Sequence, residues 1–245
     1  ALDPVIAQTA QDNPQQPVQA LLALTICDPA CGSGHFLLAA ARRLADAVAL
    51  QRAAERDGGA PTPADYRHAL RDVVGRCIYG VDKYPMAIQL AKTALWLEAY
   101  SPDRPLSFID HHLRVGDALL GVLNPQVLEN GIPDAAYTAL SGDDKATAAA
   151  LKKQNKADLK SWRRIAGGDL VTQAGLAAQA SSVEQLADDT PEQLAAKRSA
   201  WQQAQHAARR TPFARLADTY VAAFLAPKLA GASASTVPLS GYLWA

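Results

Sequence analysis

An apolar stretch, a loop of small residues and a helix follow one another twice within the first hundred residues, and that order leaves few architectures open. Leu21 to Cys27 is apolar, too short for a buried helix and followed at once by Pro29, Gly32 and Gly34, so it reads as a buried strand ending in a tight loop. A helix starts at the Gly34-His35-Phe36 step. Phe36, Leu37, Ala40, Ala41, Leu44 and Val48 supply its apolar face until Asp57-Gly58-Gly59 breaks it. Pro61 to Pro63 reads as a turn, and Ala64 to Val74 as a shorter helix with Gly75 at its end. Cys77 to Val81 is a second short strand bounded by Asp82, and Pro85 suits the first turn of a helix running to about Tyr100. Leu106 to Ile109 and Leu113 to Val115 are weaker strand candidates, separated by Asp110, His111 and His112. Strands alternating with helices imply parallel pairing through crossover helices, so residues 1–121 read as a doubly wound α/β domain.

Beyond Gly121 β-branched residues thin out and alanine and glutamine rise. Helical stretches are expected near 143–164, 182–209 and 213–228, with Thr190 as an N-cap before Pro191, and together they make residues 122–230 a helical insertion or subdomain. Gly231 to Pro238, rich in Ser, Ala and Thr, reads as a mobile linker within 231–245. Lys152, Lys156, Lys160 and Arg163 recur at helical spacing, with Lys153 and Arg164 beside them. A solvated helix face explains that stripe more simply than phosphate contact, because the formal net charge of the chain is zero.

The chain is 49% hydrophobic and 20% charged, the balance of an ordinary globular protein. It has no apolar run of membrane-spanning length and no charged-then-apolar leader, so no membrane partner is expected and a cytoplasmic address is the default. Cys27, Cys31 and Cys77 lack a second cysteine or histidine pair at zinc spacing and read as reduced thiols. Asp110, His111 and His112 invite a metal reading, but adjacent residues on a strand point to opposite faces, so no metal is expected.

The chemistry concentrates in Asp28-Pro29-Ala30-Cys31-Gly32-Ser33-Gly34-His35-Phe36, between a strand and a helix at the carboxyl end of the sheet, where open α/β folds bind ligands. Glycines on both sides of Ser33 let the backbone turn sharply and approach a ligand, and amides at the helix start can receive a carboxylate. Asp28 beside them suits an ammonium group. S-adenosylmethionine carries both charges. A dinucleotide loop would want a third glycine where Leu37 stands. Asp82, at the end of the second strand, can accept both ribose hydroxyl protons of a nucleoside, although an acid there is also a common turn former.

The same string resembles motif I of the amino-methyltransferases, Asp-Pro-x-Cys-Gly-Ser/Thr-Gly-x-Phe, at every fixed position. Gly80-Val81-Asp82-Lys83-Tyr84-Pro85-Met86-Ala87 resembles motif II, and Gly116-Asp117-Ala118-Leu119 resembles motif III. The resemblance implies a Rossmann-like methyltransferase core that binds S-adenosylmethionine through Asp28, Ala30, Cys31, Gly32, Gly34, Phe36, Asp82, Lys83, Tyr84, Asp117 and Ala118. In it Lys83 and Tyr84 flank the adenine ring and Asp117 accepts a hydrogen bond from its amino group. The wording around Asp110-His111-His112 is similar to the large type IIG-like restriction–modification and BREX-like phage-defence methyltransferases, which implies DNA as partner and adenine N6 as acceptor.

The family's catalytic Asn/Asp-Pro-Pro-aromatic tetrapeptide does not occur. Asn124-Pro125-Gln126-Val127 begins like it but lacks the second proline and the aromatic face, and reads as a loop. The upstream Thr-Pro motif is missing too, so the expectation is an incomplete core followed by a helical insertion, a fragment inactive alone and without assignable catalytic residues. Two alternatives stay open: transfer to another planar amine (cytosine N4, an RNA base or a protein glutamine), and a non-catalytic cofactor-binding or specificity subunit. Oligomeric state is not legible.

Overall fold

The computed structural model describes residues 2–56, 58–102, 104–122, 124–162 and 182–243. They fall into two compact units: Ala1–Ala118 with Ser181–Gln202, and Leu119–Ala180 with Gln203–Ala245.

The first unit is built on a three-stranded parallel sheet, β1 (Ile26–Asp28), β2 (Ile78–Asp82) and β3 (Leu113–Val115), in the order β1-β2-β3. Ile26 pairs with Ile78, Asp28 with Gly80, and Asp82 with Val115, so the strands end side by side. Helices α1 (Leu2–Asp12) and α2 (Pro17–Leu22) precede β1; α3 (His35–Arg56) and α4 (Pro63–Arg76) join β1 to β2; α5 (Pro85–Glu98) follows β2. This is the mixed α/β arrangement of an incomplete Rossmann-like methyltransferase core.

The sheet has two distinct faces because side chains alternate along a strand. Ile78, Gly80 and Leu113 are buried on one face, where α3 supplies Leu37, Ala41, Leu44 and Val48 and α5 supplies Ile88, Ala91 and Leu95. Gly80 is required there. A Cβ at that position would stand 2.8–2.9 Å from Leu37 Cδ1, Cys31 Sγ and Leu113 Cδ2. The other face carries Tyr79, Arg114 and, just before β3, His112. It is covered by residues 182–202: Tyr79 donates to Glu184 Oε1 at 2.9 Å, and the Arg114 guanidinium lies 4.8 Å from the centre of the Trp201 ring.

Three expectations are corrected in this unit. Leu21 and Leu22 belong to α2 rather than to a strand beginning at Leu21, since Pro17 starts a short helix that buries Leu21 completely; an apolar run alone does not separate a short helix from a strand. Gly75 lies inside α4, which is capped by Thr62 and Asp65 in a reciprocal box and runs on to Arg76. Leu106 to Ile109 forms no strand, because side chains engage its backbone where a neighbouring strand would: Asp188 accepts from Phe108 N at 2.8 Å, and Trp96 Nε1 donates to Ser107 O at 2.9 Å.

The second unit contains short 3₁₀ turns at Pro125–Asn130, Asp134–Tyr137 and Ser240–Leu243, helix α6 (Lys145–Trp162) and helix α8 (Pro212–Leu225), while helix α7 (Pro191–Arg209) runs across the division at Gln202. Thr190 caps α7 as expected, accepting from Gln193 N at 3.3 Å. The core of this unit is Ile132, Ala136, Tyr137, Leu151, Ala223, Val237, Leu239 and Leu243. The stretch read as a mobile linker therefore packs: Val237 and Leu239 are buried, and Asn155 holds Ser240 N at 2.7 Å and Ile132 O at 2.8 Å from inside the core. Asn124, expected in a loop, caps the first 3₁₀ turn by accepting from Gln126 N at 3.0 Å.

Candidate cofactor-binding site

Three strand tips bring the motif residues together. Asp28 ends β1, and its Oδ1 accepts from Ala30 N at 3.0 Å, which turns the chain away from the strand. Cys31 N then donates to Val81 O at 2.9 Å, tying the loop to β2. Gly32 N donates to Asp82 Oδ2 at 2.9 Å, and Tyr84 N donates to the other oxygen of the same carboxylate at 2.8 Å. Gly116 N donates to Asp82 O at 3.0 Å, so the start of motif III lies against the same strand end.

The glycines do different work. Gly32 has φ +53° with open space where a side chain would stand; Gly34 has φ +86°, and a Cβ there would approach Ala91 Cβ to 3.1 Å. Gly34 N donates to Cys31 O at 2.8 Å and Gly34 O accepts from Leu38 N, so the turn leads straight into α3. The first lets the chain turn so that its amide reaches Asp82, and the second lets α3 pack on α5.

Cys31 is buried, and burial, reinforced by the negative charges of Asp28 and Asp82, pushes its thiol up to about 11. It fills space beneath the loop as a protonated, unreactive thiol. Lys83 Nζ lies 3.9 Å from Asp117 Oδ2, which places a cation beside the motif III acid. Phe36 and Tyr84 are 81% and 69% exposed, and Met86 is 69% exposed, so three apolar side chains of these motifs stand open to solvent at this end of the unit. Ala118 is half-buried after Asp117.

Residues 7–117 match the family model described as MmeI, DNA-methyltransferase domain. The matched segment spans the motif loop, β1 to β3 and the acids at their tips, and the match supports a DNA methyltransferase of the type IIG restriction–modification kind. No curated protein and no solved structure gives a significant match.

Several partners of these residues were not legible. The sequence reading of the methyltransferase segment gave no role to Gly80, whose missing side chain lets Cys31 and Leu37 close beneath the loop. Its signal was a glycine inside an apolar strand, a sign of close approach. The basic stripe on α6 is partly neutralised: Lys152 and Lys156 reach Asp134 Oδ2 at 3.5 and 2.9 Å, while Arg163 and Arg164 lie outside the described residues. No helix among the described residues is long and apolar enough to cross a membrane.

Strand alternation, expected to set His111 and His112 on opposite faces, does not hold at these residues. His111 and His112 occupy a turn before β3, with ring centroids 4.0 Å apart, while Asp110 goes to Lys92 Nζ instead. Burial pulls His111 down to about 4 and His112 to about 3; the charges of Lys197 and Arg114 add to this for His111, and His111 and Lys197 do so for His112, opposed weakly by the backbone at Ile78 and Val74. Both rings are therefore neutral near pH 7. A polar cleft of about 570 Å³, lined among others by Thr25, Arg71, Tyr79, His112, Glu184 and Lys197, opens beside them, toward the amino ends of β1 and β2 and away from the motif loop.

Proposed function

We propose that this chain binds S-adenosylmethionine across the tips of β1 and β2 and forms the cofactor-binding half of a DNA adenine-N6 methyltransferase from a restriction–modification or phage-defence system. The observation that carries the proposal is the pairing of the Gly32 amide with the Asp82 carboxylate, which sets a glycine turn and an acid side by side at the strand tips.

The donor set fits the ligand. A carboxylate has about four lone-pair sites, and Asp82 uses two of them on Gly32 and Tyr84, leaving acceptors for a ribose diol. Asp28 suits the methionyl ammonium, and the first amides of α3 suit the methionyl carboxylate, since the Ala30, Cys31, Gly32 and Gly34 amides are taken up in shaping the turn that leads to them. Lys83, Tyr84, Asp117 and Ala118 would border the adenine, with Phe36 closing the methionyl side. When bound, the cofactor supplies an electrophilic methyl group on its sulfonium. The chain's own residues bind and orient; no base or nucleophile is assigned to them, since the Asn/Asp-Pro-Pro-aromatic sequence is not among these 245 residues.

DNA as substrate is supported by the MmeI match, and adenine N6 by the likeness of the wording around Asp110-His111-His112 to the type IIG-like and BREX-like methyltransferases. Calorimetric titration of the chain with S-adenosylmethionine tests the first step: saturable binding that Asp82→Ala weakens is expected, and no heat of binding sinks the reading. Digestion of DNA methylated by the natural protein that contains this chain tests the second. N6-methyladenosine is the expected nucleoside, and N4-methylcytosine would replace adenine with another planar amine.

A further inference from the structure

We propose that His111, His112 and Glu184 form a binding site for a divalent transition-metal ion, with zinc as the cation that suits them best, and that this ion fastens the segment beginning at 182 to the back of the sheet. The inference is independent of cofactor binding, because the three residues lie on the sheet face opposite α3 and away from the motif loop.

The geometry comes first. One ligand atom from each of the three side chains can be chosen so that all lie within 4.8 Å of one another. Tetrahedral zinc with bonds of about 2.0–2.1 Å needs donor separations of roughly 3.4 Å. The donors would have to draw together by at most about 1.4 Å, a distance within the reach of side-chain rotation.

The second observation is the state of the two rings. His112 is 2% exposed, and the four ring nitrogens of His111 and His112 are buried with no well-formed hydrogen bond among the described residues, the backbone at Ile78 and Val74 lying near the His112 ring without closing one. Buried polar groups in folded proteins are nearly always satisfied, so four together are an anomaly that a ligand resolves. Each imidazole can offer one ring-nitrogen lone pair to a metal, and the two rings lie with centroids 4.0 Å apart.

The surroundings hold the donors in place. Tyr79 packs on His112 with centroids 4.0 Å apart, and Phe108 stacks on His111 at 5.3 Å. The Tyr79 hydroxyl donates to Glu184 Oε1 at 2.9 Å, which orients the carboxylate and leaves Oε2 for the ion, as outer hydrogen bonds do in metal sites. Tyr79 is thus a positioning residue.

The charges around the cluster are mixed. Lys197 and Arg114 oppose a cation, Glu184 contributes one negative charge directly, and Asp188, whose Oδ2 is 3.9 Å from Lys197 Nζ, offsets the lysine. Two imidazoles and one carboxylate favour zinc over magnesium or calcium, which prefer all-oxygen sets. A zinc held by three protein donors keeps a fourth position for water.

The test uses the whole chain freed of metal by a chelator and titrated with zinc against a chromophoric competitor, then with cobalt for its visible spectrum. One zinc per chain and an intense four-coordinate cobalt spectrum are expected. Glu184→Gln and His112→Asn should each lower zinc affinity by about a hundredfold or more, and Tyr79→Phe by about tenfold with the stoichiometry kept. If His112→Asn fails to fold, the exposed Glu184→Gln decides. Failure to bind zinc, a weak six-coordinate cobalt spectrum, or unchanged affinity in Glu184→Gln overturns the proposal. S-adenosylmethionine binding should be the same with and without zinc, which keeps this outcome separate from that of the proposed function.

Discussion

Gly32 N donates to Asp82 Oδ2 at 2.9 Å across fifty positions of sequence, so the turn after the first strand and the acid ending the second are one structural object. Removing the acid takes away the anchor of the turn and, on the proposed reading, a ligand acceptor with it. Asp82→Ala should weaken S-adenosylmethionine binding by about 10- to 100-fold, the worth of hydrogen bonds to a charged group. Asp82→Asn, which keeps one carbonyl acceptor, should lose less. Calorimetry on the two variants checks the order.

The glycines give a graded prediction in denaturant unfolding. Gly32→Ala meets only the left-handed backbone, with φ +53° and no atom nearby, and should cost about 1 kcal/mol. Gly34→Ala adds the 3.1 Å approach to Ala91 and should cost about 1–3 kcal/mol. Gly80→Ala has ordinary φ but must displace three buried side chains, and a similar loss is expected from overpacking alone. Equal effects at Gly32 and Gly34 would mean that α3 does not lie against α5 as described.

Thiol labelling reads the same loop by chemistry. Cys27 is exposed, whereas burial raises Cys31 to about 11 and Cys77 to about 12. One fast thiol and two slow ones are expected with a disulfide reagent at pH 8 in the folded chain, and three fast ones after denaturation. Fast labelling of Cys31 would contradict its place beneath the loop.

Stability should fall in acid through the cap of α4. Asp65 accepts from Thr62 N and from Arg56, and these bonds hold its carboxyl below the usual carboxylate range. The lowered group binds fewer protons folded than unfolded, so its contribution is complete above about pH 4 and is lost as pH falls further. Asp65→Asn should flatten that part of the pH dependence of melting. Thr62→Ala, which removes the other half of the box, should cost about 1 kcal/mol at neutral pH.

Asn155 tests the second unit. Its side chain accepts from Ser240 N and Tyr137 Oη and donates to Ile132 O, joining three segments inside the core. Asn155→Ala takes this partner from the buried Ser240 N and Ile132 O, while Tyr137 Oη keeps Pro238 O, and should destabilise by about 2–4 kcal/mol, measured by chemical unfolding. An effect under about 0.5 kcal/mol would show that water reaches the network.

The order of strands and helices was legible because α3, α5 and β2 each carry their own signal: an uninterrupted apolar face, a proline in the first turn, a run ending in an acid. The residues of the motif loop were legible because a glycine turn and an acid need no distant partner to be recognised. What failed did so for non-local reasons. Leu21 looks alike in a strand and in a short buried helix. Residues 106–109 have strand composition, but Asp188 and Trp96 take up their backbone groups. Val237 and Leu239 sit among linker-like residues, and only their burial beside Tyr137 shows that they are core. Glu184 carries no sequence mark that would pair it with His111 and His112, seventy residues earlier.

The sheet's back wall is supplied by residues 182–202, long after the last strand has left the ribosome. Until they emerge, the face carrying Tyr79, His112 and Arg114 lacks the cover that Glu184 and Trp201 give it, and the nascent first unit has only one finished side. An expression product cut after residue 121 should therefore be prone to aggregation even though it holds every recognisable motif, and a useful excision of this domain has to carry the later segment with it.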